Sequence, residues 1–76
     1  DGIFVSPDAW RQGVGTLLMR QIEREAAAWG ATRLHVAVNP FATAFYTHNG
    51  FRPTGTRKVL IGPPVTVMSK PVRLHG

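Results

Sequence analysis

The chain has 76 residues, no cysteine, and nine Lys and Arg against four Asp and Glu, a formal charge of +5. A chain this short holds at most one domain, and one of this size buries only about 60–65% of its unfolded surface. The lack of cysteine excludes disulfide staples and thiolate zinc sites, and no apolar run is long enough to span a bilayer.

In chain order, Ile3-Phe4-Val5 is an apolar run ending at Ser6-Pro7, and residues near 2–6 read as a strand. Val14, Leu17, Leu18, Ile22, Ala26 and Trp29 recur at helical spacing, with Arg20, Glu23 and Arg24 on the solvent side. Gly30 follows as a C′ stop. Leu34, Val36 and Val38 alternate with Arg33, His35 and Ala37, the pattern of a half-buried strand. Asn39 is placed to cap a short helix, with Pro40 at the favoured first position. That helix is expected to run to about Asn49 and stop at Gly50. Two further strands, Arg57 to Ile61 and Val65 to Lys70, flank the breaker Gly62-Pro63-Pro64. A strand, helix and strand in succession cross over right-handed to a parallel neighbour.

Between the first strand and the first helix lies Gln12-Gly13-Val14-Gly15-Thr16. The first N–H groups of a helix have no intrahelical partners, and with the positive end of the dipole they form an anion site. Gly13 and Gly15 carry no Cβ, so a phosphate can approach the backbone closely. A dinucleotide fingerprint needs a third glycine where Leu18 stands, and a P-loop needs a Gly-Lys-Ser/Thr that is absent. By itself a Gly-x-Gly before a helix is as often tight packing as a ligand site. The charge distribution suits an anionic ligand, since every acid (Asp1, Asp8, Glu23, Glu25) lies in the first third. The basic residues are scattered and not interleaved with aromatics, so they build no base-stacking platform for nucleic acid.

Asn39, Ala42, Phe45-Tyr46 and Gly50-Phe51 read Asn-x-x-Ala-x-x-Phe-Tyr-x-x-x-Gly-Phe. With the glycine loop upstream and a strand between, the chain resembles the GNAT superfamily of N-acetyltransferases from about Ile3 to Phe51 and on through the last strand. In that family the loop reads Gln/Arg-x-x-Gly-x-Gly/Ala. Gly13 and Gly15 match its glycines, Trp10 replaces the usual Gln/Arg, and Arg11 stands where a glycine is common. The resemblance implies an α/β fold: a mixed sheet of about four strands, the first two parallel and the last two antiparallel, with one helix on each face. It also implies that the last strand inserts between the second and third. At about half the usual length of that domain, and beginning at Asp1 within a strand, residues 1–76 read as a single unit, the C-terminal, acetyl-CoA-binding half.

The resemblance also implies the chemistry. Acetyl-CoA would be the co-substrate, with no metal. Its pantetheine arm would pair with the backbone of Phe4 and Val5 where the first two strands splay. Its pyrophosphate would sit on the N–H groups of Gln12, Gly13, Val14, Gly15 and Thr16, and Arg11 could add a charge-assisted bond. Asn39 would cap the short helix and could also bond pantetheine. Tyr46 would be the general acid. An ordinary phenol, with a pKa of about 10, stays protonated at neutral pH and can donate to a thiolate whose thiol has a pKa of about 8.5. No base for the amine is evident. His35 has suitable chemistry, but its position depends on which sheet face is covered. Ser6 and Ser69 lack a nucleophile elbow, and the three dispersed His offer no metal site.

The expected activity is N-acetyl transfer from acetyl-CoA to an amine that the sequence does not identify. The alternative is a non-catalytic acyl-CoA-binding or dimerisation module of the same fold. Seven Arg against two Lys fit a GC-rich bacterial gene, and a cytoplasmic protein is expected. Self-association, or pairing with an N-terminal half, is expected because the first strand would have an unpaired edge.

Overall fold

The computed structural model describes residues 2–5 and 15–73, without the side chain of Thr16. Strand β1 (Gly2–Val5) leads through residues outside this set to helix α1 (Gly15–Ala28). Strand β2 (Arg33–Val38) runs into a 3-10 turn (Pro40–Ala42) and helix α2 (Thr43–His48). Strands β3 (Arg52–Arg57) and β4 (Val65–Pro71) complete the chain. The four strands form one sheet in the order β1-β2-β4-β3. β1 and β2 are parallel, and β4 is antiparallel to both of its neighbours. The expected mixed sheet, with its last strand inserted, is therefore present. No described helix is long and apolar enough to cross a membrane.

Both helices stop as the glycines dictate. Gly30 and Gly50 adopt φ values of 85° and 93°, a region open to glycine at little cost. At the end of α1 the Ala31 N–H donates to Ala26 O and the Gly30 N–H to Ala27 O. At the end of α2 the Phe51 N–H donates to Tyr46 O and the Gly50 N–H to Thr47 O. Each pair is a Schellman closure, which satisfies carbonyls that the helix end would otherwise leave bare.

The core lies between one face of the sheet and the helices. Leu34, Val36 and Val38 of β2, Met68 of β4, Met19 and Ala26 of α1, and Tyr46 and Phe51 form one buried cluster. Fully burying each large apolar side chain stabilises the fold by about 1.5–3 kcal/mol. The inward stripe of α1 runs Gly15, Met19, Ile22, Ala26 at steps of three and four, with Ile22 half-buried and the others buried. The expected apolar face needs correction at two positions. Leu17 is 73% exposed because it lies about 200° from Met19 around the helix. Trp29 is 83% exposed because α1 ends before it.

The expectation of one helix on each face is also corrected. Lys70 of β4 donates both to Glu23 of α1 and to the carbonyl of Asn49 at the end of α2, so the two helices share a face. The reason is topological. β3 and β2 are both antiparallel to β4, so β3 is parallel to β2. The connection β2-α2-β3 is then a second parallel crossover, moving across the sheet in the same direction as β1-α1-β2. Two right-handed crossovers in one direction put their helices on one face.

The third strand is Arg52–Arg57, not Arg57 to Ile61. Arg57 pairs with Val65 at the start of β4. Pairing beyond it would fall on Pro63 and Pro64, which have no N–H to donate. Val59, Leu60 and Ile61 are therefore left in the connection, with Leu60 99% exposed. Pro53 is tolerated because β3 is the sheet edge, and a register shift between Pro53 and Gly55 marks a bulge.

Candidate active site

Tyr46 is held by its neighbours in sequence and by the chain reversal after α2. The residue is 4% exposed and belongs to the core cluster. Phe45 meets it edge-on, with centroids 5.2 Å apart and planes at 87°. Phe51 meets it in the same way at 5.5 Å and 90°. The second contact is the hydrophobic clasp of the Schellman closure, in which the residue after the left-handed glycine packs on the last turn. Gly50 and Phe51 are therefore needed to fix the Tyr46 ring, whatever else they do.

Asn39 caps the 3-10 turn Pro40–Ala42, while α2, which was expected to start at this cap, begins after Ala42 without a side-chain cap. The Asn39 Oδ1 accepts from the Phe41 N–H at 2.9 Å, and Pro40 follows it. The side chain is exposed, and this bond accounts for its oxygen.

The start of α1 meets α2. Gly15 is buried, and a Cβ placed on it would lie 2.5 Å from Phe45 Cζ and 2.7 Å from Cε1. The glycine motif and the Asn-to-Phe motif are thus adjoining parts of one structure. Arg11, Gln12, Gly13, Val14 and Trp10, together with the Thr16 side chain, lie outside the described residues.

β1 pairs with β2 from Gly2↔Arg33 to Val5↔Val36, and β2 continues through Ala37 and Val38, which pair with β4. The splay expected at Phe4 and Val5 is not seen at those residues: both pair with β2, Phe4 with His35 and Val5 with Val36. The Val5 side chain packs on the core. Phe4 points to the opposite face, where it is 60% exposed. There it stacks on His35 at 5.0 Å, with the Arg57 guanidinium 6.0 Å from its centroid. The structure therefore separates His35 from Tyr46: the sheet lies between them. Ser69 on that same face is 1% exposed and accepts from Arg33 at 2.8 Å.

Arg20, Arg24 and Arg73, with Glu23 and Ala27, line a groove of about 500 Å³. Among the described residues no three His, Asp or Glu side chains are placed to hold a metal. Lys70 is the residue that sequence reasoning overlooked. Its Nζ is 2.8 Å from Glu23 Oε2 and 2.8 Å from Asn49 O, and 5.6 Å from the Phe51 ring centroid. The available signal was its alternation with Met68 and Thr66, which places a lysine on the core-facing side of β4.

Comparison with known proteins bears on this arrangement. The Acetyltransferase (GNAT) family model matches residues 1–51. Nourseothricin acetyltransferase superposes with a TM-score of 0.77 at 26% identity, covering 95% of this chain and 51% of its own. A GCN5-related N-acetyltransferase from Rhodopseudomonas palustris gives 0.74 at 28%, covering 90% and 48%. Chaetomium thermophilum Naa20, solved with a bisubstrate analogue, gives 0.71 at 28%, covering 91% and 46%. The chain spans about half the length of each of these structures.

Proposed function

The chain belongs to the GNAT family of acetyltransferases, and on that premise we propose that it binds acetyl-CoA and supplies the general acid of an N-acetyltransferase. The observation that carries this reading is the contact of Gly15 with Phe45, which sets the end of the glycine loop beside the helix that bears Tyr46. A phosphate site and a proton donor on adjoining elements suit a ligand with a pyrophosphate at one end and a thioester at the other.

In this reading the backbone from Gln12 to Thr16 holds the pyrophosphate, each exposed contact with the helix end contributing about 0.3–1 kcal/mol. Arg11 adds a charge-assisted bond to phosphate. The backbone of Phe4 and Val5, with Asn39, orients the pantetheine arm. An amine nitrogen attacks the thioester carbonyl and the C–S bond breaks. The Tyr46 hydroxyl gives its proton to the departing sulfur and regains one as the positively charged nitrogen formed on attack loses its own, leaving a neutral amide and a free thiol. Positioning the two reactants together removes much of the entropic barrier to their reaction.

Gly13→Val tests the cofactor site. It puts a branched side chain where the phosphate approaches, and calorimetry on the folded variant is expected to show acetyl-CoA affinity reduced at least about tenfold, or 1.4 kcal/mol. An unchanged affinity would remove the pyrophosphate assignment.

Self-association, or pairing with a further segment, belongs to the same reading. β1 is a sheet edge that pairs only with β2 among the described strands, and exposed edges template pairing. Phe4, on the face away from α1 and α2, adds apolar surface beside it. Sedimentation equilibrium on this chain is expected to show association, and a monomer at all concentrations would count against it.

A further inference from the structure

The resemblance gives Gly15 the task of letting a phosphate approach, but its surroundings point elsewhere. Gly15 is buried at the first residue of α1, and the space that its Cβ would fill is taken by the end of the Phe45 ring. Real Cβ atoms do not approach carbon to 2.5 Å, so any larger residue must displace Phe45. The ring is not free to yield at no cost. It packs against the core cluster, and it stands edge-on to Tyr46, which Phe51 holds from another side.

We propose that Gly15 and Phe45 are a matched pair of positioning residues: the missing side chain of one admits the ring of the other. Their contact sets the spacing between α1 and α2, and through it the position of Tyr46 relative to the end of the glycine loop. The inference rests on the acetyltransferase reading for its catalytic consequence, and on packing alone for the contact. Interiors transmit such displacements because they are close-packed.

The test is a cycle of Gly15→Ala, Phe45→Leu and the double variant in the full-length protein. Gly15 does not have positive φ, so the lower entropy of the unfolded chain alone would make Gly15→Ala stabilising. The matched pair predicts the opposite sign, a fall in Tm of about 5 °C or more, with displaced ring-proton shifts of Tyr46. Leucine at position 45 shortens the side chain, so the double variant is expected to recover the Tm and the Tyr46 shifts of Phe45→Leu itself. An equal loss in the double variant, or a Tm raised by Gly15→Ala, would overturn the pairing.

The kinetic arm separates positioning from phosphate binding. Gly15→Ala keeps the backbone N–H assigned to pyrophosphate and is expected to lower kcat about fivefold or more, with any loss of acetyl-CoA affinity relieved in the double variant, since a small misplacement of a catalytic group costs rate. Phe45→Leu in the same chain is expected to restore kcat to its own level. A loss of affinity that Phe45→Leu does not relieve would return Gly15 to the phosphate site and sink the proposal. A wild-type protein that neither binds nor turns over acetyl-CoA would sink the functional reading and the catalytic half of this proposal. The thermal and spectroscopic coupling would still judge the contact.

Discussion

Tyr46→Phe is expected to lower kcat by roughly 10²–10⁴-fold, the usual contribution of a general acid or base, with acetyl-CoA affinity within about twofold of wild type. The substitution is sparing for a structural reason. Phenylalanine keeps the ring that Phe45 and Phe51 grip edge-on at 5.2 Å and 5.5 Å, and the backbone carbonyl that accepts from Phe51 is untouched. Only the hydroxyl is removed, and with it the proton for the departing thiolate. The measurement is thiol release by the full-length protein over a panel of amines, with single-turnover kinetics to isolate the chemical step. The loss should shrink with an acyl donor whose thiol is more acidic, because such a leaving group needs less help. Turnover within about twofold of wild type, with chemistry rate-limiting, would make Tyr46 a core aromatic.

Lys70→Met is expected to destabilise the fold by about 2 kcal/mol, a fall in Tm of roughly 10 °C for a domain of this size. The lysine stem lies under the helices and its ammonium group joins three elements. It pairs with Glu23 at 2.8 Å, with the two side chains only 16% and 24% exposed, and donates to the Asn49 carbonyl. Methionine preserves most of the stem, so the loss isolates the charge. What remains is a partly buried carboxylate without its partner and a carbonyl without its donor. Removing one member of a fully buried pair costs about 3–5 kcal/mol, and exposed pairs contribute about 0–1 kcal/mol. The partial exposure here places the effect between these. Denaturant unfolding of Lys70→Met, Glu23→Gln and the double variant checks it. The double variant should lose less than the sum of the two, because Glu23→Gln removes the stranded charge. A loss under about 0.5 kcal/mol for Lys70→Met would show the pair to be solvated and unimportant.

The two motifs were legible because what they demand is local. Asn39 before Pro40 specifies a helix start through its own side chain, and Gly30 and Gly50 specify helix ends through a conformation that other residues avoid. Leu34, Val36 and Val38 declared a buried strand face by alternation, and all three are buried. Strand order came from the resemblance to known acetyltransferases, since neither composition nor spacing distinguishes the order observed from a simple meander. Of the site, Tyr46 stands on the helix expected of it, Asn39 caps the 3-10 turn before that helix, and the loop from Arg11 to Val14 lies outside the described residues.

What only the tertiary structure decided are the relations between elements distant in the chain. The common face of α1 and α2 follows from β3 being parallel to β2, a fact that lives in the pairing of both with β4. The identity of β3 was decided in the same place. Val59, Leu60 and Ile61 have the stronger strand propensity, yet Arg52–Arg57 forms the strand, because β4 offers hydrogen bonds opposite those residues and Pro63-Pro64 offers no donor opposite the others. Gly15 shows the division within a single residue. The sequence determined that position 15 has no side chain, and the fold determined that the vacant space belongs to Phe45.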